Sequence, residues 1–163
     1  MPDREEIILG EFRCTVDERY RVSIPGGLLT VDSPRCVLVK ERPGCLSLWR
    51  AEAWQSKVAV RIDLARQKIE AGLRDDQIGR VQLLGRLLST RHQAVELAGR
   101  GRLLIPKGFR EFLGVLPGKQ SKSGGDVIIV GAAVCVEIWN PSAWLEYLQG
   151  RMPKFRRLLD RLS

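Results

Sequence analysis

The chain has 163 residues, 44% of them hydrophobic, and a formal net charge of +8 at pH 7. That is one ordinary domain or two very small intertwined ones, with enough apolar material for a core, so wholesale disorder is excluded. No apolar run approaches the roughly 20 residues that span a bilayer. Met1–Glu6 is polar and mixed in charge, unlike a signal peptide, so a soluble cytosolic protein is expected.

In chain order, Glu11–Asp17 and Arg21–Ile24 alternate as short strands, stopped by Pro25 and Gly26-Gly27. Cys36–Lys40 and Cys45–Trp49 form a hairpin across Glu41-Arg42-Pro43-Gly44. From Arg50 the spacing turns helical, with Trp54, Val58, Ile62 and Ala65 on one face. A second helix is expected from Asp75 to about Leu88, its positive N-terminal end met by Asp75-Asp76. Strands resume at Gln93–Leu97 and Arg102–Ile105, then at Val127–Val130 and Cys135–Trp139 beyond a loop-like Leu116–Asp126. Asn140 is placed to cap a helix that starts at Pro141, and Phe155–Leu162 reads as a short basic amphipathic helix.

The charge is uneven. Residues 1–80 carry 14 cations and 13 anions, whereas residues 81–163 carry 13 cations and 6 anions. A basic surface attracts polyanions, because neutralising phosphates releases condensed counterions; the competing reading is that it only keeps the protein in solution. The four cysteines (Cys14, Cys36, Cys45, Cys135) stand 22, 9 and 90 residues apart with no C-x-x-C pair, which argues against zinc and against a disulfide framework. They read as buried strand residues.

The sequence also repeats itself. Cys45-Leu-Ser-Leu-Trp49 followed by Ala53-Trp54 matches Cys135-Val-Glu-Ile-Trp139 followed by Ala143-Trp144, at an offset of 90. The β-rich runs Cys36–Val39 and Val127–Val130 lie upstream of each. Arg21-Val-Ser-Ile-Pro25 matches Arg102-Leu-Leu-Ile-Pro106 at an offset of 81, and the change in offset falls in Leu116–Asp126. Three blocks in one order mark a tandem duplication.

These blocks resemble the MraZ family, the tandem member of the AbrB-like, swapped-hairpin group of bacterial DNA-binding proteins. The resemblance covers about Gly10 to Trp144 and rests on a motif Asp-x-x-Gly-Arg-x-x-x-Pro in each half. The first copy, Asp17-Glu-Arg-Tyr20-Arg21-Val-Ser-Ile-Pro25, has Tyr20 where Gly is usual. The second, Ala98-Gly-Arg-Gly101-Arg102-Leu-Leu-Ile-Pro106, has Ala98 where Asp is usual. Tyr20 then has to take another turn geometry or accept strain at positive φ. Asp17 can tether its turn by accepting backbone or arginine hydrogen bonds, and Ala98 cannot.

Arg19/Arg21 and Arg100/Arg102, spaced i, i+2, are expected to share one strand face as two cationic forks, with Arg13 and Arg91 as further candidates. Arginine grips phosphate or guanine edges in a bidentate way. The alternative is structural: the motif arginine ion-paired to Asp17 or Glu18. Asp17, Pro25, Gly101 and Pro106 are the structural motif positions. The tryptophans could stack on bases, but each pair sits at a strand-to-helix junction and reads as core or subunit contact. His92 stands without a nucleophile pattern, and Gly99 and Gly101 build no phosphate loop. No catalytic, cofactor, metal or small-molecule site is therefore expected.

The expected fold is α+β: two AbrB-like swapped-hairpin halves (8–55 and 91–145) forming one pseudo-twofold, β-barrel-like domain. Linking helices (56–90) and a basic C-terminal helix or tail (146–163) flank it. The resemblance implies a cytoplasmic, nucleoid-associated regulator, a repressor of the division and cell-wall gene cluster. It further implies a ring-like homo-oligomer on double-stranded promoter DNA, reading direct repeats through avidity. Two alternatives stand beside it: an oligomeric protein-interaction module with little or only non-specific DNA binding, and an antitoxin-like member of the same fold group. The latter is disfavoured because such chains carry one copy and a disordered tail.

Overall fold

A computed structural model describes residues 7–29, 35–72, 78–118 and 125–163. Its strands are β1 (Ile8–Thr15), β2 (Arg21–Ser23), β3 (Arg35–Arg42), β4 (Cys45–Arg50), β5 (His92–Glu96), β6 (Arg102–Leu104), β7 (Asp126–Ala133) and β8 (Val136–Trp139). The helices are α1 (Ala51–Trp54), running through a π-helical stretch (Gln55–Ala59) into α2 (Val60–Ala71), then α3 (Ile78–Arg91), α4 (Lys107–Leu113), α5 (Pro141–Arg151) and α6 (Phe155–Leu162). The fold is α+β. Six antiparallel strands form a sheet in the order β1-β7-β8-β4-β3-β5, and β2 with β6 forms a separate two-stranded ribbon. The sheet is open, with β1 and β5 on its edges.

The order reads the same from both ends once the repeats are matched. The opening strand of each repeat lies beside the hairpin of the other, β1 on β7 and β5 on β3. The register is carried over as well: Phe12↔Ile129 becomes Gln93↔Leu38, and Ile129↔Ile138 becomes Leu38↔Leu48. This needs Cys36 and Val127 to correspond at a step of 91, one more than the step of 90 from Cys45 to Cys135. The extra residue is accommodated by a bulge between Lys40 and Arg42, which has two residues of β3 facing one of β4.

Alternation explains which side chains face the core. Leu38, Leu46, Leu48, Val127, Ile129, Val136 and Ile138 from the sheet meet Val22, Ile24, Leu103 and Ile105 from the ribbon, with Phe109 and Leu113 of α4 closing the cluster. A second cluster joins Cys45, Ile128 and Trp139 to Trp144 and Tyr147 on α5. The Trp139–Trp144 rings lie 5.1 Å apart and Trp49–Trp54 6.1 Å apart, so the tryptophans pack at the strand-to-helix junctions. His92 packs on Trp54 at 5.1 Å. Burial pushes the thiols up, to about 11 at Cys36 and about 12 at Cys135, away from reactive thiolates.

Two helix ends follow the sequence closely. Asn140 caps α5, its side-chain oxygen accepting from Ser142 and Ala143, and Pro141 occupies the first turn, where no N–H is needed. Helix α6 has the expected bounds, and every residue from Arg151 to Ser163 is exposed. The expected Asp75-Asp76 helix start lies outside the described residues, as does 119–124 of the loop. Helix α4 was not foreseen. It begins after Pro106 and ends at Gly114, whose φ of 73° is the left-handed stop common at helix C-termini. Among the described residues, no helix is long and apolar enough to cross a membrane.

Candidate nucleic-acid interface

The ribbon puts both motif copies side by side. Val22 pairs with Leu103, and both point into the core at 1% and 0% exposure. The period of two then turns Arg21, Ser23, Arg102 and Leu104 outward. Arg21 faces Leu104 and Arg102 faces Ser23, so the two arginines are diagonal neighbours on one outer face. Ile24 N–H donates to Gly101 C=O and Ile105 N–H to Tyr20 C=O, both at 2.9 Å, locking each strand's exit to the other's entry turn.

Arg19 and Arg100 do not lie on strands. Arg19 sits in the turn before β2, and Arg100 lies in a 3₁₀ turn, Gly99–Gly101, before β6. The strand-face forks expected from i, i+2 spacing are therefore not formed, because the period-two rule does not extend into a turn. Instead the turns place Arg19 and Arg100 at opposite ends of the ribbon, with Arg21 and Arg102 between them.

Equivalent backbone bonds close the two turns. Asp17 N–H donates to Arg21 C=O and Tyr20 N–H to Asp17 C=O; Ala98 and Gly101 repeat this with Arg102 and Ala98. Tyr20 and Gly101 share the left-handed region, at φ 60° and 71°. Tyr20 thus keeps the turn and accepts the strain. Its ring is held under the Arg110 guanidinium at 4.1 Å, and Arg110 Nε donates to Ile105 C=O at 2.8 Å. Gly101 has no such latitude, since a Cβ there would stand 3.1 Å from Ile24 O.

Asp17 holds the first turn. Oδ1 accepts from the N–H of Arg19 (2.8 Å) and Arg21 (2.9 Å), and Oδ2 accepts from Arg21 Nε at 2.9 Å. The Arg21 amide bond holds this carboxyl below its usual range; desolvation opposes it, and the bonds from the Arg19 amide and the Arg21 side chain add to the lowering. Ala98 offers no carboxylate, and there Arg100 itself turns left-handed at φ 63°, which Arg19 does not.

The arginines therefore differ in what they already hold. Arg21 is ion-paired to Asp17, and Arg13 on β1 lies 3.8 Å from Asp126. Arg91 is tied to Lys40 C=O and, at 3.6 Å, to Glu41, on the other side of the sheet order from β1. Arg19, Arg100 and Arg102 are exposed, and their side chains make no hydrogen bond or ion pair among the described residues. Pro25 and Pro106 leave the ribbon alike, their carbonyls accepting from Leu28 and Phe109. After that the repeats part, because Gly26-Gly27 follows one proline and α4 the other. Arg110 is the residue that sequence reasoning missed, because it was not recognised as lying on a helix.

Comparison with known proteins agrees with the motif resemblance. The family model described as "MraZ protein, putative antitoxin-like" matches residues 88–162. A "Transcriptional regulator MraZ" of Thermoanaerobacter pseudethanolicus is 27% identical over 159 residues, covering 96% of this chain and 97% of the relative. That of Syntrophomonas wolfei is 25% identical over 158 residues, covering 96% of each chain. That of Acetivibrio thermocellus is 29% identical over 140 residues, covering 85% of this chain and 84% of the relative. The comparisons thus liken the chain to MraZ proteins, through the family model over residues 88–162 and through relatives over nearly the whole length.

Proposed function

We propose that this chain is a MraZ-like, DNA-binding transcriptional regulator that reads double-stranded DNA with the outer face of the β2–β6 ribbon. The carrying observation is that face: Arg21 and Arg102 on the strands, Arg19 and Arg100 in the turns beyond them, three of the four side chains without a hydrogen bond or ion pair among the described residues. A two-stranded ribbon fits the major groove, where arginine reaches guanine edges and phosphates. Unpaired cations release counterions on binding, whereas Arg21 first has to share its Asp17 contact. Arg102, Arg100 and Arg19 accordingly contact DNA, and Arg21 also holds the turn in shape.

The family resemblance supports the finer reading: cytoplasmic, nucleoid-associated repression of the division and cell-wall gene cluster by a ring-like homo-oligomer on promoter direct repeats. One weak ribbon contact per subunit gains affinity when several subunits engage repeats in register. Titrating the protein on its own upstream promoter beside a scrambled duplex, across salt, tests this. A preference for the promoter with a salt slope of roughly 0.9 per phosphate neutralised supports it. Equal binding to both duplexes leaves a merely basic protein, and no binding at moderate salt favours the protein-interaction module.

A further inference from the structure

Between the repeats, α2 and α3 bury no residue completely. Their half-buried side chains instead fall on one side of each helix. Val58, Ile62 and Ile69 from the first helical run face Val81, Leu84 and Leu88 from α3 across a cavity of about 670 Å³. Trp49 and Trp54 line it from the sheet side. Small-molecule sites span roughly 300–1,000 Å³ and are mostly apolar with a few polar groups. Val58 belongs to the π-helical stretch, a departure from regular helix that often marks a functional site.

The polar groups at this cavity are nearly all matched. Arg66 pairs with Asp63 at 3.1 Å and Arg91 with Glu41 at 3.6 Å, and the Trp49 indole N–H donates to Ser47 at 2.9 Å. Arg61 lines the cavity too, and among the described residues it has no ion pair or hydrogen bond. Away from the cavity lining the same helices carry further apolar side chains, with Val60, Leu64, Leu83 and Leu87 at 50%, 52%, 54% and 50% exposure. A second protein chain has those side chains to pack on; the cavity with one unmatched cation suits a small apolar molecule with one negative charge.

We propose that this cavity binds a free single-chain amphipathic acid, its apolar body between α2, α3 and the two tryptophans and its carboxylate at Arg61. The site is separate from the ribbon and does not depend on the DNA-binding reading. The test is a titration of the full chain with dodecanoate below its micelle concentration, beside dodecanol, followed by tryptophan fluorescence and sedimentation. The expected result is saturable one-to-one binding, with dodecanol weaker by roughly threefold, the ratio an exposed ion pair of about 0.7 kcal/mol produces. Arg61→Gln should bring dodecanoate to the affinity of dodecanol, and Ala65→Phe, which fills the cavity, should weaken both. Arg61 is exposed, so its variant keeps the test open if Ala65→Phe fails to fold. Absence of saturable binding overturns the proposal, as does equal affinity for acid and alcohol. A loss of assembly mass in Ala65→Phe without any acid binding in the parent protein overturns it in favour of a second copy of the chain.

Discussion

Asp17–Arg21 and Ala98–Arg102 close the same backbone turn by different means. In the first, a carboxylate gathers two amides and a guanidinium, and an aromatic residue sits where φ is positive, under the arginine of a distant helix. In the second there is no carboxylate, and two successive residues, Arg100 and Gly101, are left-handed. The first turn is therefore held by side chains and the second by glycine and close backbone packing. The same difference leaves Arg21 partnered and Arg102 unpartnered, so a duplicated motif has come to present unequal arginines.

The largest effect that can break this comparison is on DNA. Arg102→Ala should weaken promoter binding about tenfold or more and lower the salt slope by roughly 0.9, as expected for one lost phosphate contact. Arg21→Ala should cost less affinity, lower the slope by less than roughly 0.9, and lower stability, because Arg21 is partly neutralised by Asp17 and its loss releases that carboxylate. Equal losses of affinity and slope in the two variants, measured by filter binding across salt, would show that the ion pair leaves Arg21 as available as Arg102.

Next comes the backbone of the second turn. Gly101→Ala puts a Cβ 3.1 Å from Ile24 O at a φ of 71°, so unfolding free energy should fall by about 1–2 kcal/mol. Denaturant melts at constant m-value report this. Because the Gly101 carbonyl is bonded to Ile24, the loss should spread to the ribbon and show as faster amide exchange at Ile24 and Ile105.

Acid should separate the turns. The Asp17 carboxyl titrates below its usual range when folded, so its contribution is fully present above the ordinary carboxylate pKa and is lost as pH falls through the lower folded value. Asp17→Ala should remove about 1 kcal/mol at neutral pH and flatten the acid limb of stability against pH. Ala98→Asp should add the same kind of limb to the second turn. An unchanged acid limb in Asp17→Ala would show that the carboxylate does not organise its turn.

Much of this was legible in the residues. The repeats show a duplication and the resemblance they carry implies swapped hairpins, Asn140-Pro141 predicts a capped helix, and the departures Tyr20 and Ala98 point to the two places where the turns diverge. The rest depends on contacts or single-residue counts that pattern does not carry. Arg19 and Arg100 look like strand residues until the turn bonds of Asp17 and Ala98 are seen. The bulge at Lys40/Arg42 is one residue in a 90-residue repeat. Helix α4 had its marks, Pro106 before it and Gly114 after it, but the first repeat offers Gly26-Gly27 at the same place and so suggested no helix.

The smallest expected effect is the one that tests how the first turn tolerates Tyr20. A left-handed side-chain residue costs on the order of 1 kcal/mol relative to glycine, and the half-buried Tyr20 ring, stacked under a guanidinium and packed on the core, returns about 1 kcal/mol. These nearly cancel, so Tyr20→Gly should change stability by no more than about 0.5 kcal/mol. Tyr20→Ala keeps the strain and loses the ring, and should therefore cost about 1 kcal/mol. Arg110→Ala should cost more, since it removes the bond to Ile105 C=O as well as the stack. In that background Tyr20→Gly should be more favourable than in the parent by the lost stack, because only the packing of the ring on the core then opposes the relief of strain. A double-mutant cycle over the two positions measures this coupling directly. A coupling of zero would mean that Tyr20 stands at positive φ without help from Arg110, and that the backbone bonds of Asp17 alone hold the turn.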